Sequence, residues 1–377
     1  MSANELQNLT NAIAHQMSLV FGEGANLDPA TPAGLHRRYS FMFHYRIRLP
    51  DGIIKSIIVK IPRDAWMKTL HEAISSDHIR GIITTEFEVL NAIADSVEGE
   101  PLLCAIRPLA ILPEFNAVVM DNVQMRLLKT SLSRFSPTWV NSEDWKQFEG
   151  PLELAGKLLR VIHCRFATTQ QESLERLRVL ENPAESLDAL GRHDRSSNAL
   201  LHPLIDLYES VKSVRVPLAG LHNDYHLGNV FVTPEGKVGT LDPNWTASGS
   251  VYVDLACIIS YPQTRRVQVL TQGLRFPSSL REPYETALLR GYFTGSQVSY
   301  PVLYFYCATA ALEKWRYIED LLRDHRELPR AGSWAASRWV RHYFHGLIRQ
   351  YLEQGLKASA SNRQLDDREH LAPLSCG

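Results

Sequence analysis

From Tyr39 to Leu49 the chain alternates. Tyr39, Phe41, Phe43, Tyr45, Ile47 and Leu49 share one parity, while Ser40, His44, Arg46 and Arg48 fall on the other. Period-two spacing of aromatic and β-branched residues predicts a half-buried strand. Asp51-Gly52 is a hairpin turn signal, and Ile53–Ile61 reads as the returning strand, ended by Pro62. Upstream, Leu6, Leu9, Ile13, Met17 and Val20 recur at helical spacing and predict an amphipathic helix over 4–20, stopped by Gly22 and Gly24. Pro29, Pro32 and Gly34 then mark a loop. Downstream, Ile83, Phe87, Leu90 and Ile93 predict a helix over about 80–95, and 103–112 and 117–121 read as two further strands. The first third is therefore a mostly antiparallel β-structure with one main helix.

From about residue 143 the periodicity becomes helical. Pro151–Phe166 is a strong helix, with Leu152, Leu154, Leu158, Leu159 and Ile162 as its apolar groups and Pro151 in its first turn. Residues 169–200 read as polar and helical, and 217–242 as a β-rich island. Helical patterns return at 252–260, 283–294, 301–324 and 334–355. The stretch beyond 357 reads as a solvated, flexible tail.

Composition changes this picture mainly by exclusion. The 377 residues suffice for two domains, and 45% hydrophobic content is that of a globular protein. Lys+Arg and Asp+Glu, 40 against 41, lack the basic excess of a general nucleic-acid binder. The five cysteines are widely spaced without a CxxC pair, so free thiols are expected rather than a disulfide framework or zinc site. The N-terminus has neither the basic nor the apolar region of a signal peptide, and no apolar run is long enough to span a bilayer, so a cytoplasmic, membrane-free protein is expected.

Candidate chemistry is concentrated in 220–245. Three polar residues, Asp224, Asn229 and Asp242, punctuate it. Between the last two lie short apolar strands, Val230–Val232 and Val238–Leu241, joined by Thr233-Pro234-Glu235-Gly236, which is turn chemistry. Such a hairpin would bring Asn229 toward Asp242. An amide oxygen and a carboxylate together suit a hard cation such as Mg²⁺, and Asp224 would face a substrate. The pattern suggests phosphoryl transfer or hydrolysis.

The spelling His222-Asn-Asp224-Tyr-His226-Leu-Gly228-Asn229, followed by an apolar hairpin and Asp242, resembles the catalytic and metal loops of the aminoglycoside phosphotransferase and choline kinase-like family of small-molecule kinases. A second block, Gly249-Ser-Val-Tyr-Val-Asp254-Leu-Ala256, resembles that family's G-D-P-x-x-D-L-A element. Asn223 stands where the family usually has Gly, and Ser250-Val251 where it has Asp-Pro. The resemblance implies an α+β, protein-kinase-like bilobal fold. Its N-lobe (1–123) would be an antiparallel sheet with one main helix, its C-lobe (124–356) mostly helical, and 357–377 a tail. It implies Asp224 as catalytic base, Asn229 and Asp242 as Mg²⁺ ligands, and His222 and Asp254 as structural support of the loop. Lys60 would pair the ATP phosphates, with Glu86 as its helix partner and Glu88 as runner-up. The hinge would be Met120, Asp121 and Val123. No G-x-G-x-x-G loop occurs, and Arg38 is the sole nucleotide contact suggested near Gly34.

The implied activity is ATP- and Mg²⁺-dependent transfer of a γ-phosphate, with GTP as the other nucleotide, to a hydroxyl of a small molecule: a sugar, an aminoglycoside or an amino-alcohol. Monomer and homodimer are both compatible with it. The alternatives are a non-catalytic, pseudokinase-like nucleotide-binding module, or a protein kinase. A further reading takes His222, Asp224 and His226 as metal ligands of a hydrolase, but Gly220, Gly228 and the lack of a distal His/Asp cluster favour a loop. Residues 311–350 hold eight Lys/Arg against five acids, which tilts the expected acceptor toward a neutral or anionic molecule. Trp315, Tyr317, Trp334 and Trp339 are candidates to stack on a sugar, though such spacing also serves a core. His342 and His345, three apart on a predicted helix, are a further candidate metal pair or a helix surface.

Overall fold

The computed structural model describes residues 3–28, 33–37, 39–132, 142–191, 195–276, 278–294, 297–324 and 330–362. Arg38 and the tail beyond 362 lie outside the described residues. The chain forms two compact units. The first comprises Met1–Met125 and Gly239–Trp245, the second Arg126–Val238 and the rest.

The first unit is a six-stranded antiparallel sheet with helices α1 (Ala3–Phe21), α2 (Leu70–Ile74) and α3 (Asp77–Ser96). Its strands are β1 (Asn26–Leu27), β2 (Ala33–Arg37), β3 (Ser40–Arg48), β4 (Ile54–Pro62), β5 (Pro108–Leu112) and β6 (Ala117–Asp121), in the order β1-β3-β4-β6-β5, with β2 also paired to β3. The alternation in β3 is realised: Phe41, Phe43, Tyr45 and Ile47 are all buried. β3 and β4 pair from Ser40↔Pro62 to Arg48↔Ile54 around the Asp51-Gly52 turn, where Gly52 takes φ +83°. β2 lies where Pro29, Pro32 and Gly34 pointed to a loop. It forms because the neighbouring edge of β3 accepts it, from Ala33↔His44 to Arg37↔Ser40, a pairing that local composition does not encode. Asn116, fully buried with φ 48°, turns the chain between β5 and β6. Its Nδ2 donates to the carbonyls of Ala73, Ile74 and Ser76, tying that turn to the end of α2.

α3 starts at Ser76, whose Oγ accepts the Ile79 N–H at 3.3 Å. Its buried stripe is Ile79, Ile83, Glu86, Val89, Leu90 and Ile93. A carboxylate thus occupies a position that helical periodicity assigns to the core, and burying it demands a partner.

The second unit opens with β7 (Arg126–Leu127), α4 (Lys129–Leu132) and α5 (Ser142–Arg165). α5 begins a full two turns before the expected start, so Pro151 lies in its interior. The residue before it is Gly150, which lacks the Cβ that a following proline would crowd. β8 (Ala167–Ser173) is a strand where a helix was expected, because its polar residues pair with the next strand. α6 (Glu181–Gly191), α7 (Leu201–Val211) and β9 (Arg215–Leu221) follow, then β10 (Val230–Val232) and β11 (Val238–Thr240). β12 (Thr246–Ser250) pairs with β9, giving the sheet order β12-β9-β8. The remaining helices are α8 (Tyr252–Thr264), α9 (Arg266–Leu270), α10 (Arg281–Tyr292), α11 (Tyr300–Asp324) and α12 (Arg330–Asn362). α12 continues through residues 357–362, where the tail was expected to begin.

α5 and α10 approach so closely that glycines are required. A Cβ on Gly156 would lie 2.1 Å from the Leu288 carbonyl oxygen, and one on Gly291 would lie 1.9 Å from that of Glu153. Trp315 belongs to the core, stacked parallel to Phe344. Trp339 is half exposed and donates through Nε1 to the Val269 carbonyl; the Trp334 side chain lies outside the described residues. Cys104, Cys257 and Cys307 form no disulfide. Among the described residues no helix is long and apolar enough to cross a membrane.

Candidate active site

In the second unit, residues 222–229 form a loop between β9 and β10. Its side chains alternate between anchoring and facing out. Tyr225 and Leu227 are fully buried, and the Tyr225 hydroxyl donates to the Ala155 carbonyl on α5 at 2.7 Å. The Leu227 and Val230 carbonyls accept the Lys129 and Leu128 N–H groups, both at 2.8 Å. Asp224, between these anchors, keeps 47% of its side chain exposed.

The loop hangs from Asp254, a fully buried carboxylate in the first turn of α8. Its Oδ2 accepts the His222 N–H and its Oδ1 the Asn223 N–H, both at 2.7 Å. Oδ2 also lies 3.0 Å from His163 Nε2, and His163 Nδ1 lies 2.7 Å from the Tyr292 hydroxyl. Tyr292, His163 and Asp254 are thus a buried polar chain running from α10 through α5 to the loop. His163 escaped the sequence reading. Its signal was available: a histidine on the apolar face made by Leu158, Leu159 and Ile162 must find partners if buried.

Asn223 has φ 58°, in the left-handed region. That accounts for the departure from Gly: asparagine is among the few residues with a side chain that visit this conformation at low cost. Its Nδ2 also donates to Thr246 Oγ1 at the start of β12.

Asp224 Oδ2 accepts from Asn229 Nδ2 at 2.6 Å, and the same nitrogen reaches the Asp224 carbonyl at 3.0 Å. Asp224 Oδ1 lies 3.3 Å from His226 Nε2. His226 Nδ1 accepts the Gly228 N–H at 3.0 Å, so the neutral ring carries its proton on Nε2 and turns it toward Asp224. Burial pushes the His226 pKa down, against the pull of Asp224. The ring lies against Tyr261, with centroids 4.5 Å apart. Among the described residues no three of His, Cys, Asp and Glu gather as a metal cluster, so His222, Asp224 and His226 do not converge as a ligand set. Downstream, the Thr233–Lys237 turn closes through the Gly236 N–H on the Thr233 carbonyl at 3.0 Å.

In the first unit, Lys60 on β4 donates through Nζ to Glu86 Oε1 at 2.6 Å and to Asp242 Oδ1 at 3.0 Å. Lys60 and Glu86 are 13% and 7% exposed, Asp242 54%. Burial by itself would lower the Lys60 pKa, but Glu86 and then Asp242 outweigh it and hold the ammonium above the ordinary lysine value. Glu88 and Lys55 are both exposed. Asp242 takes φ 49°. Met120 is buried on β6, opposite Ile58. The Asp121 N–H donates to the Arg107 carbonyl at 3.1 Å, and Val123 lies half-buried in the segment beyond β6.

Solved structures similar to the chain include three proteins. A choline/ethanolamine kinase family protein from Mesorhizobium loti is 14% identical with a TM-score of 0.49, covering 94% of this chain and 99% of its own. Choline kinase LicA from Streptococcus pneumoniae is 12% identical at 0.45, with the same coverage. A macrolide 2'-phosphotransferase from Brachybacterium faecium is 13% identical at 0.49, covering 89% and 98%. No curated protein matches the sequence. Residues 141–293, the stretch from α5 through α10 with the loop at its centre, match the Phosphotransferase enzyme family, APH, so the resemblance read from His222 to Asn229 holds across that segment.

Proposed function

We propose that this chain is a cytoplasmic small-molecule kinase that transfers the γ-phosphate of ATP to an acceptor hydroxyl with the help of Mg²⁺. The observation that carries the reading is Asp224. It is a half-exposed carboxylate, oriented by Asn229 at 2.6 Å on a loop suspended from buried Asp254. Asp224 accepts or orients the proton of the incoming hydroxyl, which aligns the oxygen for in-line attack. In this reading residues 1–123 hold the nucleotide and 124–356 the acceptor.

Lys60, kept charged by Glu86, binds the α/β-phosphates. Asp121 and Val123 turn backbone groups to the adenine, with Met120 behind it. An amide oxygen from Asn229 and a carboxylate from Asp242 are hard donors that fit Mg²⁺, and the exposure of the Asp242 side chain suits a ligand. When bound, the ion neutralises charge on the triphosphate. His222 and Asp254 hold the loop. The eight Lys/Arg against five acids in 311–350 favour a neutral or anionic acceptor, such as a sugar or a phosphorylated metabolite.

The test is mass analysis of a metabolite extract incubated with Mg·ATP, comparing wild type with Asp224→Ala. The expected result is a singly phosphorylated product whose rate of formation falls by about 10²–10⁴ in the variant. Absence of any Asp224-dependent product, together with failure to bind Mg·ATP, would sink the reading.

A further inference from the structure

In the second unit α9 ends at Leu270, and the chain turns through 271–276 on its way to α10. Gln268 ties this turn from inside, donating through Nε2 to the carbonyls of Gly273 at 2.9 Å and Phe276 at 3.2 Å. α12 holds it from the side. Trp339 Nε1 donates to the Val269 carbonyl at 3.0 Å, and Gln272 Nε2 donates to the Trp339 carbonyl at 3.1 Å. Gly273 takes φ +89°, and a Cβ built on it would lie 3.6 Å from the Tyr343 ring.

Three large apolar side chains stand out from this corner. Leu270 is 60% exposed, Leu274 67% and Trp339 49%. Single exposed leucines are ordinary, but apolar side chains grouped on one surface mark an interaction site. The two hydrogen bonds from α12 group these three: they tie Trp339 to Val269, beside Leu270, and to Gln272, two residues before Leu274. The Trp339 N–H is satisfied within the protein, so what its ring presents to solvent is apolar.

Cations accompany them. Arg266 stands one helical turn before Leu270, Arg275 follows Leu274, and Arg338 precedes Trp339; all three are exposed. No Asp or Glu occurs between Asp254 and Glu282, or between Arg330 and Glu353, in a chain whose formal net charge is -1. The two segments that build the corner therefore carry arginine without acid, and their complement is an anionic surface. Leucines this exposed protrude rather than line a groove, so a protein partner would have to supply a matching pocket for each. A lipid interface takes protruding Leu and Trp without any matching shape, and its anionic headgroups answer the arginines. A second copy meeting the same face about a two-fold axis would instead set cations against cations.

We propose that the α9–α12 corner docks this chain on the surface of an anionic lipid bilayer. Leu270, Leu274 and Trp339 enter the boundary between headgroups and acyl chains, and Arg266, Arg275 and Arg338 meet the headgroups. Docking of this kind lies in the interface and needs no spanning helix. The surface uses none of the residues assigned to phosphotransfer.

The experiment is flotation of the full chain with vesicles of phosphatidylcholine alone or with about 30% phosphatidylglycerol. Binding is expected to the anionic vesicles and not to the neutral ones, and it should weaken as salt rises from about 0.1 M to about 0.5 M. Leu270→Ser combined with Leu274→Ser removes the apolar anchor, and Arg266→Gln combined with Arg275→Gln removes two cations. All four side chains are exposed, so both double variants should melt as wild type does. Each pair should weaken vesicle binding by about tenfold or more. Asp224→Ala, which abolishes the proposed catalysis, should float with the vesicles as wild type does, so the two readings fail separately. The proposal is overturned if anionic vesicles at ~1 mM lipid capture no protein, or if neutral vesicles bind equally well. It is overturned too if the leucine pair has no effect while the arginine pair abolishes binding, the outcome expected of a site for an acidic protein.

Discussion

The carboxylate of Asp254 and the imidazole of His163 meet at 3.0 Å where neither has any exposure. The pair matters because the same carboxylate holds two consecutive N–H groups of the loop that carries Asp224. The position of the candidate base is therefore set from below, by a polar chain sealed in the helical core.

Removing that support should cost both stability and turnover. Asp254→Ala leaves two loop N–H groups and His163 without their acceptor, and breaking a buried pair of this kind costs about 3–5 kcal/mol. Chemical denaturation measures it. A double-mutant cycle with His163→Leu should show a coupling energy of about 1 kcal/mol or more. Additive losses would mean that the two side chains do not act together.

Lys60 and Glu86 offer an internal control. Lys60→Met leaves a 7%-exposed carboxylate without its cation, so a loss of about 3–5 kcal/mol is expected. Glu88 lies two residues away on the exposed face of α3, and Glu88→Ala should stay within about 0.5 kcal/mol of wild type. Urea titration of the two variants side by side separates the partner from the bystander.

At Asn223 the backbone dictates the outcome. Asn223→Gly should be tolerated, because φ 58° suits glycine. Asn223→Val should cost about 1–2 kcal/mol or more, since a β-branched residue is strained there. The expected readout is a lower Tm for the valine variant and a near-normal one for glycine.

His226 makes stability depend on pH. Its folded pKa lies below the ordinary 6.5 because of burial, so the unfolded chain takes up the proton first as the pH falls. The contribution is complete above the unfolded value and is lost as the pH drops through the folded one. Between pH ~7 and ~5 wild type should therefore lose stability more steeply than His226→Gln. Parallel curves would show that the ring is not buried in its neutral form.

Wherever one contiguous stretch carried the information, the sequence determined the outcome. The alternation of Phe41, Phe43, Tyr45 and Ile47 made β3, Asp51-Gly52 made the hairpin, and the stripe around Ile83 and Ile93 made α3. The residues from His222 to Asn229 carry, within one short stretch, the resemblance on which the proposed chemistry rests. Tertiary structure decided what depends on residues far apart in the chain. The polar run Ala167–Ser173 became a strand only because β9 lay alongside it, and Ala33–Arg37 only because β3 did. Glu86 rather than Glu88 faces Lys60 because of how α3 is rotated against the sheet. His163 reaches Asp254 across 91 positions of sequence, and the Arg281 guanidinium lies 4.3 Å from the centre of the Tyr351 ring only once α12 has packed beside it. Periodicity reports which face of an element is buried, whereas the partner a buried polar group finds there is set by the approach of distant elements.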